Sequence, residues 1–318
     1  MDVSILIPCY NAERWIGQCI ESALLQTWPE KEVIVVDDGS TDGSLEIVQS
    51  FGARIRWETG PNQGGNVARN RLLELSKGEW LQYLDADDYL LPEKIADHMK
   101  IVVNNPGVDV VFSRYIQETH SGGEIRQGLG TMPEPRNDPW SLLVRWDLPQ
   151  TGALLWRKKA MVDSGGWKPD QPCCQEHELY LRSLKTNHRF IYSDDVGAVY
   201  RQWENGSVCT KNPREVHQRR LEIINAAADY LRESGGLTPP RLWAINHSRL
   251  EVARQIWLYD PDSATHIAAE IHSSQPSFHP NGPFSRIRHS FAYGLGYRLL
   301  GFRGAERLSQ HLRLSVQR

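Results

Sequence analysis

The feature that most constrains the fold is an uninterrupted run of β-branched residues, Val33-Ile34-Val35-Val36. Such a run has no polar face, and it is typical of a parallel strand that is covered on both sides. Another apolar segment, Val3 to Pro8, precedes it, and helix-spaced apolar residues occupy Glu13 to Gln26 between the two. Strand, helix and strand in this order predict an α/β sheet.

The alternation continues through the first hundred residues. Residues 44–50 and 64–76 have helical spacing, whereas residues 55–57 and 80–84 are strand-like. In open α/β sheets, ligands bind at the carboxyl ends of the strands. We therefore expect the functional residues of this half to lie just after its strands.

The rest of the chain predicts less regular elements. The expected elements are a strand at 109–115, a hairpin at 118–130, an irregular connection at 131–150, a strand at 151–156, a helix near 159–164, a helix from 175 and a pair of strands between 190 and 201. Beyond Glu215 the pattern is helical. We expect a catalytic domain at residues 1–212 and a helical region at 213–318, whose basic tail starts near residue 284.

Three carboxylates directly follow the strand at residues 80–84, in Leu84-Asp85-Ala86-Asp87-Asp88. Gathered carboxylates repel one another and resist desolvation, so a divalent cation or a set of hydroxyls is their expected partner. Oxygen ligands favour Mg²⁺ or Mn²⁺, and such ions usually bind together with phosphates. Taken alone, the spacing is also typical of a solvated turn or a helix cap.

Two further strand ends carry suggestive side chains, at Pro8-Cys9-Tyr10-Asn11 and at Asp37-Asp38-Gly39-Ser40. Each segment alone is compatible with an ordinary loop. Three such segments on the same edge of one sheet indicate a ligand site.

Five motifs follow one another in the first part of the chain, namely Ser4–Asn11, Val35–Asp42, Ala68–Asn70, Gly78–Trp80 and Leu84–Asp88. In order and spacing they resemble the motifs of family 2 glycosyltransferases with the GT-A fold. The resemblance implies a nucleotide-diphospho-sugar transferase fold, in which helices flank a mostly parallel mixed sheet. It also implies transfer of a sugar from a nucleotide-diphosphate donor to an acceptor hydroxyl, with inversion at the anomeric carbon.

The resemblance assigns the nucleotide to residues of the first half of the catalytic domain, about 1–115. Pro8 and Tyr10 would form the wall around the base, and Asp38 would hydrogen-bond to it. Arg69 is a weaker nucleotide-binding candidate, with a surface arginine on a helix as the alternative. Asp37 is expected to cap its own loop.

The same resemblance assigns the metal to the acidic cluster. Asp87 and Asp88 would hold Mg²⁺ or Mn²⁺ against the diphosphate, and Asp85 would face the ribose or the metal. Such an ion would stabilise the negative charge that develops on the leaving phosphate.

Inversion also requires a base that takes the proton of the acceptor hydroxyl. Glu176 is our candidate, since the helix from residue 175 resembles the acidic motif of the family in the acceptor half, about 116–212. The family usually has Glu-Asp where this chain has Gln175-Glu176. Glu178 is the rival, unless it pairs with Arg182 at i,i+4, and His177 is expected to pack or to be solvated.

This chain departs from the family once more, after the last strand. Many relatives have a histidine near the diphosphate or metal, whereas this chain has Gln202-Trp203. Trp203 would either stack on an acceptor ring or pack at the strand end. The same two alternatives apply to Trp156 and Trp167.

The basic tail contrasts with the rest of the chain. Residues 284–318 contain seven arginines and one acid, although the whole chain has a net charge of −3. An amphipathic basic helix on an anionic membrane is one interpretation. A helix packed on the protein with solvated arginines is the other.

The composition bears on the compartment in which the protein is expected. Five cysteines without metal-ligand spacing favour a reducing compartment, and neither a signal peptide nor an apolar run of about 20 residues is found. We expect a cytoplasmic protein that is either free or peripheral on the inner face of the membrane. Nucleic acid is not an expected partner, because residues 1–283 carry a net charge of −9 (−3 − 6).

Other functions fit the pattern less well. A nucleotidyltransferase would bring a glycine-rich basic loop after the first strand, and a dinucleotide oxidoreductase would need G-x-G-x-x-G there. A noncatalytic nucleotide-sugar-binding protein would not need both acidic motifs. The donor is expected to be a UDP-, GDP- or dTDP-sugar and the acceptor a glycan, a lipid-linked molecule or another hydroxyl.

Overall fold

The computed structural model describes residues 1–130, 132, 136–203, 212–281 and 291–316. Contacts divide the chain into two compact units, of which the first comprises residues 1–139 and 147–211. The second unit comprises residues 140–146 and 212–318. Residues 140–146, expected in the catalytic domain, thus group with the helical region. The start of the basic tail at residue 284 lies outside the described residues.

One sheet organises the first unit. Its described strands are β1 (Val3–Cys9), β2 (Lys31–Asp37), β3 (Arg56–Thr59), β4 (Trp80–Tyr83), β5 (Tyr89–Leu90), β6 (Val110–Ser121), β7 (Glu124–Leu129), β8 (Leu154–Arg157) and β9 (Phe190–Trp203). Their order is β3-β2-β1-β4-β8-β6-β9-β5, with β7 paired to β6. β1 to β4 pair in parallel, whereas β8 runs antiparallel to β4 and β6. The predicted mixed sheet is confirmed: β1 to β4 form one parallel group, and β6 and β9 form a further parallel pair.

Helices cover this sheet and build the second unit. They are α1 (Ile16–Leu24), α2 (Ser44–Ser50), α3 (Gly65–Leu75), α4 (Lys94–Asn104), α5 (Pro139–Val144), α6 (Lys158–Asp163), α7 (Gln175–Lys185), α8 (Pro213–Glu233), α9 (Pro239–Ile256), α10 (Pro261–Ser274) and α11 (Phe291–Val316). Proline opens α8, α9 and α10, where its missing N–H costs nothing. Gly301, at a φ of 67°, interrupts α11.

The apolar run that opened the sequence is buried, as its lack of a polar face predicts. Val33 to Val36 form the centre of β2, and none of them is more than 7% exposed. Ile16, Cys19 and Ile20 of α1 belong to the same buried cluster as Val33 and Val35. The strand is therefore covered as a parallel strand should be.

The predicted hairpin at residues 118–130 is confirmed, and its turn is the pair Gly122-Gly123. Ser121 pairs with Glu124 across a two-residue turn, and both glycines have positive φ, 56° and 83°. Such a turn matches the twist of the flanking strands, and glycine adopts it without strain.

Two local predictions were wrong. The connection at 131–150 contains the short helix α5, whose Leu142 and Leu143 are fully buried. The expected pair of strands at 190–201 is instead the single strand β9. Its pairing with β6 continues on both sides of a register shift, since Ser193 pairs with Ser113 and Val196 pairs with Arg114. The two acids between them form a bulge, which looked like a turn in the sequence.

The second unit consists of helices with a core of their own. Ile224, Ala227, Leu250 and Ile271 are at most 1% exposed there. Across the described residues, none of the helices has the combined length and apolar character that crossing a membrane requires.

Candidate functional site

A cavity of about 510 Å³ lies at the carboxyl ends of β1, β2 and β4. Its lining residues come from all three predicted strand ends, from α3 and from the end of β9. They are Pro8, Cys9, Tyr10, Asn11, Ala12, Trp15, Asp38, Gly65, Ala68, Arg69, Asp85, Ala86, Asp87 and Trp203. The sheet thus brings together Pro8, Tyr10, Asp38, Arg69, Asp85 and Asp87 of the predicted site.

The loops after β1 and β2 hold each other. The Asn11 N–H donates to the Ser40 hydroxyl at 3.0 Å, and the Asn11 side-chain oxygen accepts from the Thr41 N–H at 2.7 Å. Asp37 accepts from the Thr59 hydroxyl at 2.7 Å and from the Ser40 N–H, so it caps its loop as expected. Next to this scaffold Tyr10 remains 51% exposed. Its ring is accessible to a flat ligand.

Asp38 is buried at the cavity wall and anchors the loop that precedes α3. Its two carboxylate oxygens accept from the N–H groups of Gln63 and Gly64, each at 2.8 Å. The adjacent Gly39 has a φ of 73°, and a Cβ there would lie 2.8 Å from the Asn62 nitrogen. A carboxylate oxygen can accept two hydrogen bonds, so this anchoring is compatible with binding a base.

Arg69 is not a surface arginine. Its side chain is 11% exposed, and it donates to Asp85 at 2.8 Å. Its guanidinium lies 4.8 Å from the ring centroid of Trp167, whose backbone is held by Asn70 through two hydrogen bonds. The Ala68-Arg69-Asn70 motif therefore orients Asp85.

Asp87 lines the cavity beside Asp85. Burial, followed by the charge of Asp85, raises the pKa of Asp87, while a hydrogen bond from Trp203 lowers it. The net shift of the pKa is upward, so burial and the neighbouring carboxylate together disfavour the ionised form of Asp87. A cation bound there would favour the ionised form.

Asp88 faces a different neighbour. It is 1% exposed, and it accepts from the Arg201 N–H of β9 at 2.8 Å. It does not line the cavity. The structure thus brings together two of the three predicted metal ligands, and the metal role of Asp88 stays a prediction.

Arg201 connects the acidic cluster to two distant parts of the chain. Its guanidinium donates to the Asp87 carbonyl at 2.8 Å, to Glu118 at 2.9 Å and to Gln18 at 2.6 Å. Because Arg201 is only 4% exposed, these bonds are shielded from water. They fix the backbone at Asp87.

Glu118 is the buried counter-ion of Arg201. Burial alone would raise its pKa, but hydrogen bonds from four side chains outweigh this effect and lower the pKa to about 2. The four donors are His120, Gln127, Arg201 and Tyr89. The ionised carboxylate is therefore the form that the fold stabilises.

We expect Glu118→Gln to lower the free energy of unfolding by about 2 kcal/mol at pH 7. Since the folded-state pKa is depressed, this contribution is complete above the ordinary pKa of 4.5 and is lost as the pH falls toward 2. Urea unfolding at pH 7 and pH 3.5 measures the difference in the free energy of unfolding between the native protein and the variant. This difference should be smaller at the lower pH. The exposed neighbour Glu124, changed to Gln, is the control. A difference of equal size at both pH values would contradict the prediction.

An aromatic group forms one wall of the cavity. Trp203 lies 4.5 Å from Trp15 and 4.2 Å from His120, measured between ring centroids. Trp203, at the end of β9, thus lines the cavity. Trp156 and Trp167 are at most 3% exposed, so packing is their role.

The two candidate bases at the start of α7 differ sharply. Glu178 is 7% exposed and pairs with Lys168 at 2.8 Å and with Arg182 at 2.7 Å. Glu176 is partly exposed, and one of its oxygens accepts from the Thr151 hydroxyl at 3.0 Å. The charge of Glu176, after that of Asp85, raises the pKa of Arg69 against the effect of burial. Glu176 therefore lies within electrostatic reach of the cavity.

The remaining residue of this motif, His177, is packed. It is 9% exposed, and its ring lies 5.6 Å from that of Tyr180. The predicted packing role is the one that this geometry favours.

The donor set suits Mg²⁺ or Mn²⁺ accompanied by phosphates. In the described part of the chain, no cluster of three or more His, Cys, Asp or Glu side chains has metal-binding geometry. Asp85 and Asp87 nevertheless share the cavity wall. Magnesium is commonly held by one or two carboxylates together with substrate phosphates and water. The residues present fit such an ion.

Comparison with known proteins points to one family. The family model described as glycosyl transferase family 2 matches residues 4–161. An uncharacterized glycosyltransferase of Haemophilus influenzae is 37% identical over 107 residues, which are 32% of this chain and 43% of that protein. The chain spans less than half the length of the curated relatives it matches.

Solved structures extend the similarity in fold to both units. Staphylococcus aureus TarS residues 1–349, solved in complex with UDP-GlcNAc, has a TM-score of 0.59 at 16% identity and covers 86% of this chain and 89% of its own. The mannosyltransferase PcManGT of Pyrobaculum calidifontis, in complex with GDP-Man and Mn²⁺, has a TM-score of 0.50 at 19% identity, with coverages of 87% and 75%. At these identities the similarity shows the fold alone.

Proposed function

Because this chain belongs to glycosyl transferase family 2, with the matching domain at residues 4–161, we propose that it is an inverting, metal-dependent transferase of a nucleotide-activated sugar. One observation carries the proposal. Tyr10, Asp38, Asp85 and Asp87 line one cavity at the carboxyl ends of three parallel strands, which is where an α/β sheet binds nucleotides.

The nucleotide base would lie against the wall formed by Pro8 and Tyr10. The exposed Tyr10 ring offers a stacking surface, and Asp38 offers carboxylate oxygens to base N–H groups. We propose UDP, GDP or dTDP as the nucleotide. The fold neighbours were solved with UDP-GlcNAc and with GDP-Man, which supports a nucleotide-sugar donor.

The diphosphate would lie at the acidic pair. Asp85 and Asp87 are the residues that would hold Mn²⁺ or Mg²⁺, with Asp88 as the further candidate. When bound, the ion stabilises the negative charge that develops on the leaving phosphate. Arg69 positions Asp85 through its ion pair, and Arg201 positions Asp87 through the backbone carbonyl.

The acceptor proton would be taken by Glu176. The Thr151 hydrogen bond orients its carboxylate, whereas the ion pairs of Glu178 hold that residue in the fold. A covalent route through Cys9 is disfavoured, since burial and the charge of Asp37 raise the pKa of this thiol to about 12. Direct displacement by the acceptor hydroxyl gives inversion.

We propose a glycan or lipid-linked acceptor and a cytoplasmic site of action, with peripheral contact between the basic tail and the inner face of the membrane. Cys9 and Cys19 are buried thiols, a state that a reducing compartment preserves. The basic tail gives the chain an element that is suited to an anionic surface.

A nucleotide panel tests the proposed donor site. We expect one of UDP, GDP and dTDP to raise the melting temperature by about 5 °C or more when Mn²⁺ is present, and much less when it is absent. Tyr10→Ala should reduce the shift, and ADP is the control nucleotide. Equal shifts with and without Mn²⁺, or no shift with any nucleotide of the panel, would overturn the proposal.

A further inference from the structure

Helix α11 exposes a group of leucines that we call the leucine ridge. Its members Leu295, Leu299, Leu300 and Leu308 are 46%, 69%, 61% and 40% exposed. Leu295 and Leu299 are one helical turn apart, so they are neighbours on the same face. Exposed apolar side chains grouped in this way are typical of an interaction site.

The ridge does not serve to hold α11 in the second unit, because other side chains of α11, on both sides of Gly301, do so. Tyr293, Tyr297, Phe302 and Ala305 are at most 5% exposed. Tyr297 contacts the side chain of His272 at 3.1 Å, and the Phe302 ring lies 5.7 Å from that of Trp257. The exposed leucines are therefore not among the residues that pack α11 in the second unit.

The charged side chains of residues 284–318 are almost all arginines. Residues 284–318 contain a single acid, Glu306. It is 3% exposed, and it accepts from Arg254 at 2.9 Å and from the Tyr293 hydroxyl at 2.7 Å. Arg298 and Arg307, by contrast, are exposed next to the ridge. The segment thus presents leucine and arginine to the solvent while its only carboxylate is buried.

We propose that the leucine ridge docks on an anionic lipid surface. Leucine side chains would enter the boundary between headgroups and acyl chains, and the flanking arginines would contact lipid phosphates. The inference deepens the proposed function, since it identifies the residues through which the enzyme would reach a lipid-linked acceptor.

A second copy of this chain is the less favourable occupant. A two-fold contact places the same patch on both partners, so the arginines beside one ridge would meet those beside the other. Such like-charge contacts oppose association. Anionic lipid has the complementary charge instead.

Vesicle sedimentation with the full chain tests the proposal without any transferase assay, so its failure is distinguishable from failure of the donor site. Vesicles of phosphatidylcholine alone are compared with vesicles that also contain phosphatidylglycerol. We expect at least about tenfold tighter binding to the anionic vesicles, and about a tenfold loss in the variant Leu299→Ser/Leu300→Ser. Leu258→Ser, which changes another exposed leucine of the second unit (57% exposed), is the matched control and should bind like the native protein.

Arg298→Gln/Arg307→Gln should weaken binding to anionic vesicles while binding to neutral ones is unchanged. Native binding that is equal for both vesicles, or that Leu299→Ser/Leu300→Ser leaves intact, would overturn the proposal. Sedimentation velocity of the same variants without lipid is the second readout. A native dimer that the leucine variant dissociates would assign the ridge to a second copy and would also overturn it.

Discussion

Replacing Glu176 with glutamine is expected to lower kcat for sugar transfer by about 1000-fold, while the Kd of the donor changes less than about twofold. Glutamine keeps the size of the side chain and can still accept the Thr151 hydrogen bond, but it cannot take the acceptor proton. Single-turnover transfer from a sugar donor that carries the nucleotide found in the panel gives the rate, and calorimetric titration gives the Kd.

Glu178→Gln is the matched control, because it makes the same chemical change two residues away. Glu178 forms ion pairs with Lys168 and Arg182 while nearly buried. Its loss should lower the free energy of unfolding by about 3 kcal/mol and leave kcat of the folded enzyme within a few-fold. The opposite pattern, with activity lost in Glu178→Gln and kept in Glu176→Gln, would assign the base to Glu178.

The second large effect is expected at the acidic cluster. Asp87→Asn should weaken Mn²⁺-dependent nucleotide binding by at least about 100-fold. The same change should leave the ligand-free protein equally stable or more stable, because burial and the charge of Asp85 raise the pKa of Asp87 and so disfavour its ionised form. Titration calorimetry and thermal unfolding measure the two quantities.

Asp88→Asn separates the metal ligand from its neighbour. Asparagine can still accept from the Arg201 N–H, so the contact with β9 is preserved. We expect nucleotide binding with Mn²⁺ to stay within a few-fold of the native value. If Asp88→Asn weakens binding as much as Asp87→Asn, Asp88 is a metal ligand despite its position outside the cavity wall.

The parts of the site that the sequence predicts are those set by local pattern. An uninterrupted run such as Val33 to Val36 is stable only when both faces are covered, and parallel strands bring their carboxyl ends to one edge. Tyr10, Asp38 and Asp85 follow such strands directly. Their meeting in one cavity could therefore be predicted without coordinates.

The network behind the site could not be predicted, since it depends on pairing between distant segments. Gln18, Glu118 and Arg201 belong to α1, β6 and β9, and nothing near any one of them indicates the other two. Trp15 was missed for the same reason, because its partner Trp203 comes from β9. A tryptophan so close to the first strand end was the only local signal.

Two alternatives that the sequence left open depended on burial. By its helical spacing, Arg69 is an ordinary surface residue of α3. In the structure, the loop whose backbone is held by Asn70 covers Arg69, and Arg69 forms an ion pair with Asp85. Glu178 and Glu176 have the same helical context, and the difference between them is the ion pair with Lys168, which lies outside α7. Tertiary contacts of this kind do not follow from periodicity.

The most direct test is the Kd of the preferred nucleoside diphosphate, measured by calorimetry on the native protein with and without Mn²⁺. A nucleotide held between Tyr10 and the acidic pair should bind at least about 100-fold more tightly with the ion, since the carboxylates otherwise repel the diphosphate. Asp87→Asn should abolish that difference. A Kd that is the same with and without Mn²⁺ in the native protein would contradict the metal-dependent donor site.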